Sequence, residues 1–299
     1  MFGRIGDFAQ SELINTQLLQ AQTRSRITQA QISSGKIADR YSELAPQTEQ
    51  LINVKQVLGQ NVQFQENISQ TIGKLDVMES AISSIFDIAT RTRTLALQRI
   101  NDPDSTPGIM SSEFQSMLDQ TASLLNEDIN GRYLFGGSQT ARAPVELDPT
   151  FAAFGSADDS YYQGDDLVLS VRVDIDVDIT TTMSADLEGF RELIGGLRGL
   201  MNGDILDDDE VLDNSLALVN ESLGKIADYQ SELGIRQAQM DRINESHLDT
   251  ELYLENRVSE IEDIDITEAI TRLSQDQIVL ESAMATIARL NQISLVDYI

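Results

Sequence analysis

The chain has 299 residues and a mass of 33.1 kDa, about twice the commonest domain size, which predicts two folded regions with less ordered ends. With 21 Lys and Arg against 49 Asp and Glu the formal charge is -28, which repels a phosphate backbone or an anionic membrane, so neither nucleic acid nor membrane is an expected partner. No Cys, a single His and no Trp leave disulfide frameworks, thiol catalysis, zinc ribbons and serine-histidine triads without parts, and no catalytic residue, metal ligand or cofactor is assigned.

The start, MFGRIGDFAQSELINTQ, has no apolar signal-peptide core, and no stretch reaches the roughly eighteen apolar residues of a membrane span. The expectation is a soluble chain that is exported, if at all, without a cleaved signal. Residues 1–36 carry Arg4, Arg24, Arg26 and Lys36 against Asp7 and Glu12, and residues 266–299 carry Arg272 and Arg289 against four acids. The two ends are together about neutral by this count, and the middle holds the acidic excess. Identical copies joined through neutral ends keep their acidic middles in water, where like charges are screened within about 8 to 10 Å.

In chain order, residues 11–34 read as an amphipathic helix with Ser11 as N-cap, Ile14, Leu18, Ala21, Ser25, Thr28 and Ile32 at heptad spacing, and Gly35 as its stop. The stripe is thin and diluted by Gln, too little to offset ordering costs of about 1 to 2 kcal/mol per residue, so the helix alone is expected to be largely disordered. After a loop, Pro46 is placed to open a long helix with apolar spacing from Leu51 through Leu75, Ile82 and Ala89 to Ala96, about 80 Å long if unbroken. NDPDSTPG, 101–108, breaks it. Ser111 or Ser112 then caps a helix carrying Phe114, Leu118, Leu125 and Ile129 before Gly131.

Residues 132–188 change character. Tyr133, Phe135, Gly136, Gly137, Pro144, Pro149, Tyr161 and Tyr162 precede LVLSVRVDIDVDI, whose apolar residues from Leu167 to Ile179 alternate strictly, as in one strand with a buried face. Helix resumes near Phe190, pauses at 202–206, and restarts with Asp207 as N-cap and Glu210 completing a capping box. Leu212, Val219, Leu233, Leu254 and Ile261 carry a second long helix. The phase slips at EDIDIT, 262–267, before a final stripe of Ile266, Ile270, Leu273, Leu280, Met284 and Ile287. The fold class is mainly α with a small β insertion. The two halves form a long antiparallel helical bundle or coiled coil, divided as 1–45, 46–131, 132–188, 189–262 and 263–299.

Asp174, Asp176 and Asp178 imitate the first ligands of a calcium loop, but Ile179 and Ala185 stand where Gly and Glu are needed, so a solvated strand face is the reading adopted. His247 lies on the apolar row of the second long helix without a second His or Cys, and reads as a bundle-edge histidine. Gly136-Gly137 and Gly195-Gly196 fit no phosphate-loop pattern and read as turn glycines.

Six fragments in order carry a resemblance: ISSGK (32–36), GRYLFGGSQT (131–140), YYQGDD (161–166), ELGIRQAQMDRI (232–243), IEDIDITEAITRLSQDQIVLESA (261–283) and SLVDYI (294–299). Together the chain resembles the flagellin family over nearly its whole length, on the side of the hook–filament junction members. Filament subunits usually show a basic stretch after Ser-Ser-Gly, where IADRYSELAPQTEQ (37–50) stands here. The resemblance implies a structural, non-enzymatic subunit of the extracellular flagellum, exported through the type III channel with a chaperone and lacking a cofactor. It implies that terminal helices pair inside a tube and a β domain faces outward. Its partners would be other copies in a ring, a hook-side junction protein and flagellin. The implied assembly interface comprises Ile14, Leu18, Ile27, Ile32, Ile270, Leu273, Leu280, Met284, Ile287 and Leu295. The second reading is a filament subunit. A coiled-coil scaffold would explain the helices but neither the neutral ends nor the β insertion.

Overall fold

The computed structural model describes residues 3–296 except 45–46, 103–105 and 149–154, with side chains described from 12 to 289. Pro46, Pro103, Pro149, Phe151 and Phe154 therefore lie outside the described residues. The order is α1 (Gly3–Ser34), a 3-10 turn (Tyr41–Glu43), α2 (Thr48–Ile100), α3 (Ser111–Leu125), β1 (Asp128–Ile129), β2 (Arg132–Tyr133), β3 (Ser170–Asp174), β4 (Val177–Thr180), α4 (Glu188–Leu206), α5 (Asp209–Glu262) and α6 (Ile266–Val296). The expected class, mainly helical with a small β insertion, is what the described residues show. Two compact units are formed, residues 61–249 and residues 1–60 with 250–299.

In the unit of residues 61–249, α2 buries Ile68, Leu75, Ile82, Ala89 and Ala96, and α5 buries Leu212, Val219, Ile226, Leu233 and Met240, each row one residue in seven. A strict seven-residue recurrence keeps one face turned to a neighbour. Large apolar residues of α3 and α4, among them Phe114, Leu125, Phe190 and Leu193, close the same core. Each such side chain contributes about 1.5 to 3 kcal/mol on burial.

Gly195 and Gly196 are not turn residues. They lie inside α4, where Gly196, Gly199 and Gly203 form a 3-4 spaced row against α5; a Cβ at Gly196 would come within 2.8 Å of Val219 Cγ2, and one at Gly203 within 2.9 Å of Leu212 Cγ. Missing side chains let the two helices approach closely, at the cost of about 1 kcal/mol of helix propensity per glycine. The expected pause at 202–206 is likewise absent: α4 runs to Leu206, and Asp207 ends it in a left-handed conformation with φ 55°. The cap of α5 is Asp208, whose Oδ1 accepts the N–H of Glu210 at 3.1 Å and of Val211 at 3.2 Å. An aspartate caps in either case, but with Asp208 as the cap Val211 stands three residues on where a capping box needs Glu or Gln, so the expected box with Glu210 is not formed.

At the start of α3 neither Ser111 nor Ser112 caps. Asp204 Oδ2 accepts the Met110 N–H at 2.9 Å while its Oδ1 accepts from Arg99 Nε at 2.6 Å, and Arg99 Nη2 reaches Asp207 Oδ1 at 2.6 Å. This buried arginine ties the end of α2 to the start of α3 and the end of α4, and the low local dielectric makes each member costly to remove. Ile129, read as helical, belongs to β1, which pairs with β2 across the Asn130-Gly131 turn, both residues at positive φ.

The alternating run 167–179 is a hairpin and not one strand. β3 pairs antiparallel with β4 around Ile175-Asp176, which leaves Val173 and Ile179 buried but Leu167 and Ile175 exposed. Asp174 ends β3, Asp176 sits in the turn, and Asp178 pairs with Arg172 at 3.0 Å. The three aspartates thus share no strand face. Alternation has the same period on both sides of a two-residue turn, so the pattern conceals the reversal.

Candidate assembly surface

In the unit formed by residues 1–60 and 250–299 the two chain ends form a helix pair whose geometry starts at two loops. Gly35, with φ +74°, stops α1 in the conformation that glycine adopts without strain. Beside it Lys36 and Asp263 form an antiparallel bridge: the Ile37 N–H donates to Glu262 O at 2.7 Å and the Ile264 N–H to Gly35 O at 2.9 Å. Asp265 Oδ1 then caps α6, accepting from the N–H groups of Thr267 at 2.8 Å and Glu268 at 3.1 Å.

Glu262, its side chain only 11% exposed, accepts from Lys36 Nζ at 3.2 Å and from Lys55 Nζ. Burial alone would raise its pKa, but the hydrogen bonds from Lys55 and Lys36 outweigh it and hold the carboxyl below the ordinary glutamate value. Beneath this triad Leu44, Leu51 and Ile261 form a small core.

Beyond the loops α1 and α6 run antiparallel, joined by Arg24 and Asp276 at 3.2 Å. In α1, Ala21 and Thr28 are buried and Ile14, Leu18, Ser25 and Ile32 half-buried, the heptad row expected from sequence. The matching row of α6 is Ala269, buried, with Leu273, Asp276, Leu280, Ala283 and Ile287 half-buried. The remaining apolar residues face away: Ile27 is 50% exposed, Ile270 51% and Met284 52%. Leu13, Leu19, Ile278 and Val279, which the sequence reading did not single out, are exposed as well. They fall off the heptad row, so the signal was an apolar residue on a face whose polar neighbours leave it no partner in the chain. Leu295 has no described side chain. The nine candidate residues with described side chains therefore divide, six in the seam of one chain and three on its outer face.

The motifs of the β insertion meet around Asp165. Its carboxylate accepts from the Ser138 N–H at 2.7 Å and from Ser138 Oγ, joining FGGSQT to YYQGDD, and a Cβ on Gly137 would overlap the Asp165 carbonyl. Those Ser138 bonds, side chain first, hold the Asp165 carboxyl below its ordinary pKa.

His247 is inside the seven-residue row of α5 and not at its edge, being 6% exposed. Its Nε2 donates to Val173 O at 2.7 Å, its Nδ1 lies 3.0 Å from Asn61 Nδ2, and its ring stacks on Phe64. It holds the hairpin to α2 and α5. Among the described residues no group of three or more acids or histidines is placed to hold a metal ion.

Family models for the N-terminal and C-terminal helical regions of bacterial flagellin match residues 9–140 and 216–299, which together take in most of the chain. The flagellar hook-associated protein 3 of Salmonella typhimurium is 21% identical over 312 residues, covering 94% of this chain and 98% of its own. The flagellin of Bacillus subtilis is 21% identical over 240 residues, 76% of each chain. Among solved structures, Bacillus cereus FlgL superposes with TM-score 0.59 at 18% identity, covering 69% of this chain and 98% of its own. Hook-associated protein 3 from Legionella pneumophila gives 0.58 at 16% identity, covering 70% and 98%.

Proposed function

The chain belongs to the bacterial flagellin family, and within it we propose that this is the junction subunit that joins the hook to the filament. It is a structural component of the flagellum. The observation that carries the junction reading is coverage: hook-associated protein 3 accounts for almost the whole chain, β insertion included, whereas flagellin leaves a quarter unmatched. The paired terminal helices support the mode of action, since they bury little within one chain and leave apolar residues turned outward for further copies.

In this reading copies form a ring between a hook-side junction protein and the first flagellin layer. Each arrives through the flagellar export apparatus with a chaperone and without a cleaved signal. Seam residues Ile14, Leu18, Ile32, Leu273, Leu280 and Ile287 hold the pair together, and Ile27, Ile270 and Met284 meet neighbouring copies. The role is mechanical and calls for no enzymatic step.

Electron microscopy of a strain lacking the gene tests it. Intact hooks without filaments, with flagellin released into the medium, are the expected result. Filaments of normal length on those hooks would overturn the junction reading and leave that of a minor filament subunit.

A further inference from the structure

The seam between α1 and α6 is poorly suited to choosing its own register. Its most buried members are Ala21, Thr28 and Ala269, and both rows repeat at the same alternating steps of four and three residues. Sliding α6 past α1 by a heptad puts Leu280 where Leu273 stood and Ile287 where Leu280 stood, and among the α6 seam positions only the exchanges of Asp276 with Ala269 and Ala283 change the chemistry, so the energy gap between registers is narrow. Elsewhere in the chain a buried polar pair, Asn61 with His247, stands among large apolar layers. In the described part of the α1–α6 seam the only cross-helix ion pair is Arg24–Asp276, with Arg24 59% exposed, and a pair so exposed contributes at most about 1 kcal/mol.

The loops at the base are specific where the seam is not. Two main-chain hydrogen bonds, Ile37 N–H to Glu262 O and Ile264 N–H to Gly35 O, fix one alignment of the two strands of chain. Both helices begin at once: α1 ends at Ser34, one residue before Gly35, and α6 starts at Ile266, two residues after Ile264. No slack separates bridge from helix. The alignment is also carried upward unchanged. Arg24 lies 12 residues before Lys36, and its partner Asp276 lies 13 residues after Asp263, as an antiparallel helix pair started at the Lys36–Asp263 bridge requires.

We propose that the bridge between residues 35–37 and 262–264, locked by Glu262 between Lys36 and Lys55, is a register-setting latch for the terminal helix pair. Lys36 belongs to the loop leaving α1, Lys55 to α2 and Glu262 to the end of α5, so one carboxylate joins the three segments that meet at the base of the pair. The Leu44–Leu51–Ile261 core holds them from beneath. Pairing then propagates from this nucleus, because the costly step of bringing two distant segments together has already been made. The exposed Ile27 of α1 keeps its spacing along the pair from the exposed Ile270 and Met284 of α6 only in that register, and a slip displaces them by a heptad. The consequence for assembly rests on the junction-subunit reading, whereas the latch itself is a property of the single chain.

The absence of cysteine makes the test direct. Full-length protein carrying Arg24→Cys with Asp276→Cys reports the native register through a short thiol cross-linker, and Arg24→Cys with Ala283→Cys reports a pair slipped by one heptad. With the latch intact the native pair should link and the slipped pair should not. Glu262→Ala, or independently Ile264→Pro, which removes the bridging N–H, should lower the native product several-fold and raise the slipped one, while the melting of residues 61–249 is unchanged. Native-register cross-linking at undiminished yield in both variants would overturn the latch, as would failure of the native pair to link in the intact protein. Neither result bears on the deletion strain, so the two readings fail separately.

Discussion

The central bundle and the terminal pair use the same heptad arithmetic with opposite contents. In α2 and α5 the repeating positions are mostly Ile, Leu, Val and Met, with Ala89 and Ala96 toward the end of α2, and have little or no exposure; in α1 and α6 they are Ala, Ser, Thr, Asp276 and half-buried Leu or Ile, while full-sized residues such as Leu19 and Ile278 point to solvent at 62% and 63%. The first arrangement completes its core within one chain. The second buries mainly small residues within the chain and leaves several large apolar side chains exposed. Periodicity therefore reports that a helix has a face, and residue size reports whether that face is satisfied at home.

The comparison breaks most visibly if the central core is opened. Phe190 is fully buried, in edge contact with Phe135 and tilted contact with Tyr229, so Phe190→Ala should cost about 3 to 5 kcal/mol and lower the melting temperature of the isolated subunit by circular dichroism. An unchanged melt would mean that the bundle is not the stability-determining part.

Substitutions in the terminal pair should behave in the opposite way. Met284→Asp, on the outer face, should leave the monomer melt unchanged and abolish filament growth beyond the hook, because the charge is desolvated only when a neighbour covers it. Leu280→Asp, in the seam, should give the same loss of filaments together with faster proteolysis of the ends in dilute monomer. Swimming cells at normal protein level would count against both assignments.

The smallest effect concerns protons. Glu262 and Asp165 both have carboxyls held below their ordinary values, so their contribution is complete above those values and is lost as pH falls through the lowered ones. Glu262→Gln should therefore differ from the parent near neutral pH, and the gap should close on acidification below about pH 4, the ordinary carboxylate range. Proteolysis of the ends across a pH series measures it; a gap that persists or widens in acid would contradict the assigned ion pairs.

Much of this was legible in the chain. The heptad rows located each long helix, Gly35 marked the end of α1, and the slip at 262–267 marked the α5–α6 break, since each depends on neighbouring residues alone; the start of α1 was misplaced, because it begins at Gly3 and the expected cap Ser11 lies inside it. The hairpin at 170–180, the cap at Asp208 and the interior position of Gly195-Gly196 were not, because alternation, an aspartate pair and a glycine pair each fit two local structures equally well. The packing partner chooses: Val173 and Ile179 must both reach the core, and α4 must come close to α5.

For the candidate surface, sequence by itself determined which residues were apolar and at what spacing. It could not divide them, since Leu273, Leu280 and Ile287 fit equally a row with Ile270 and Met284 and a row with Ala269 and Ala283, and spacing alone does not choose between the two. Only the tertiary structure decided that Leu280 and Ile287 turn toward α1 while Met284 and Ile270 turn away. The physical reason lies at the base of the pair, where two main-chain hydrogen bonds and one shared glutamate fix the alignment of segments more than two hundred residues apart.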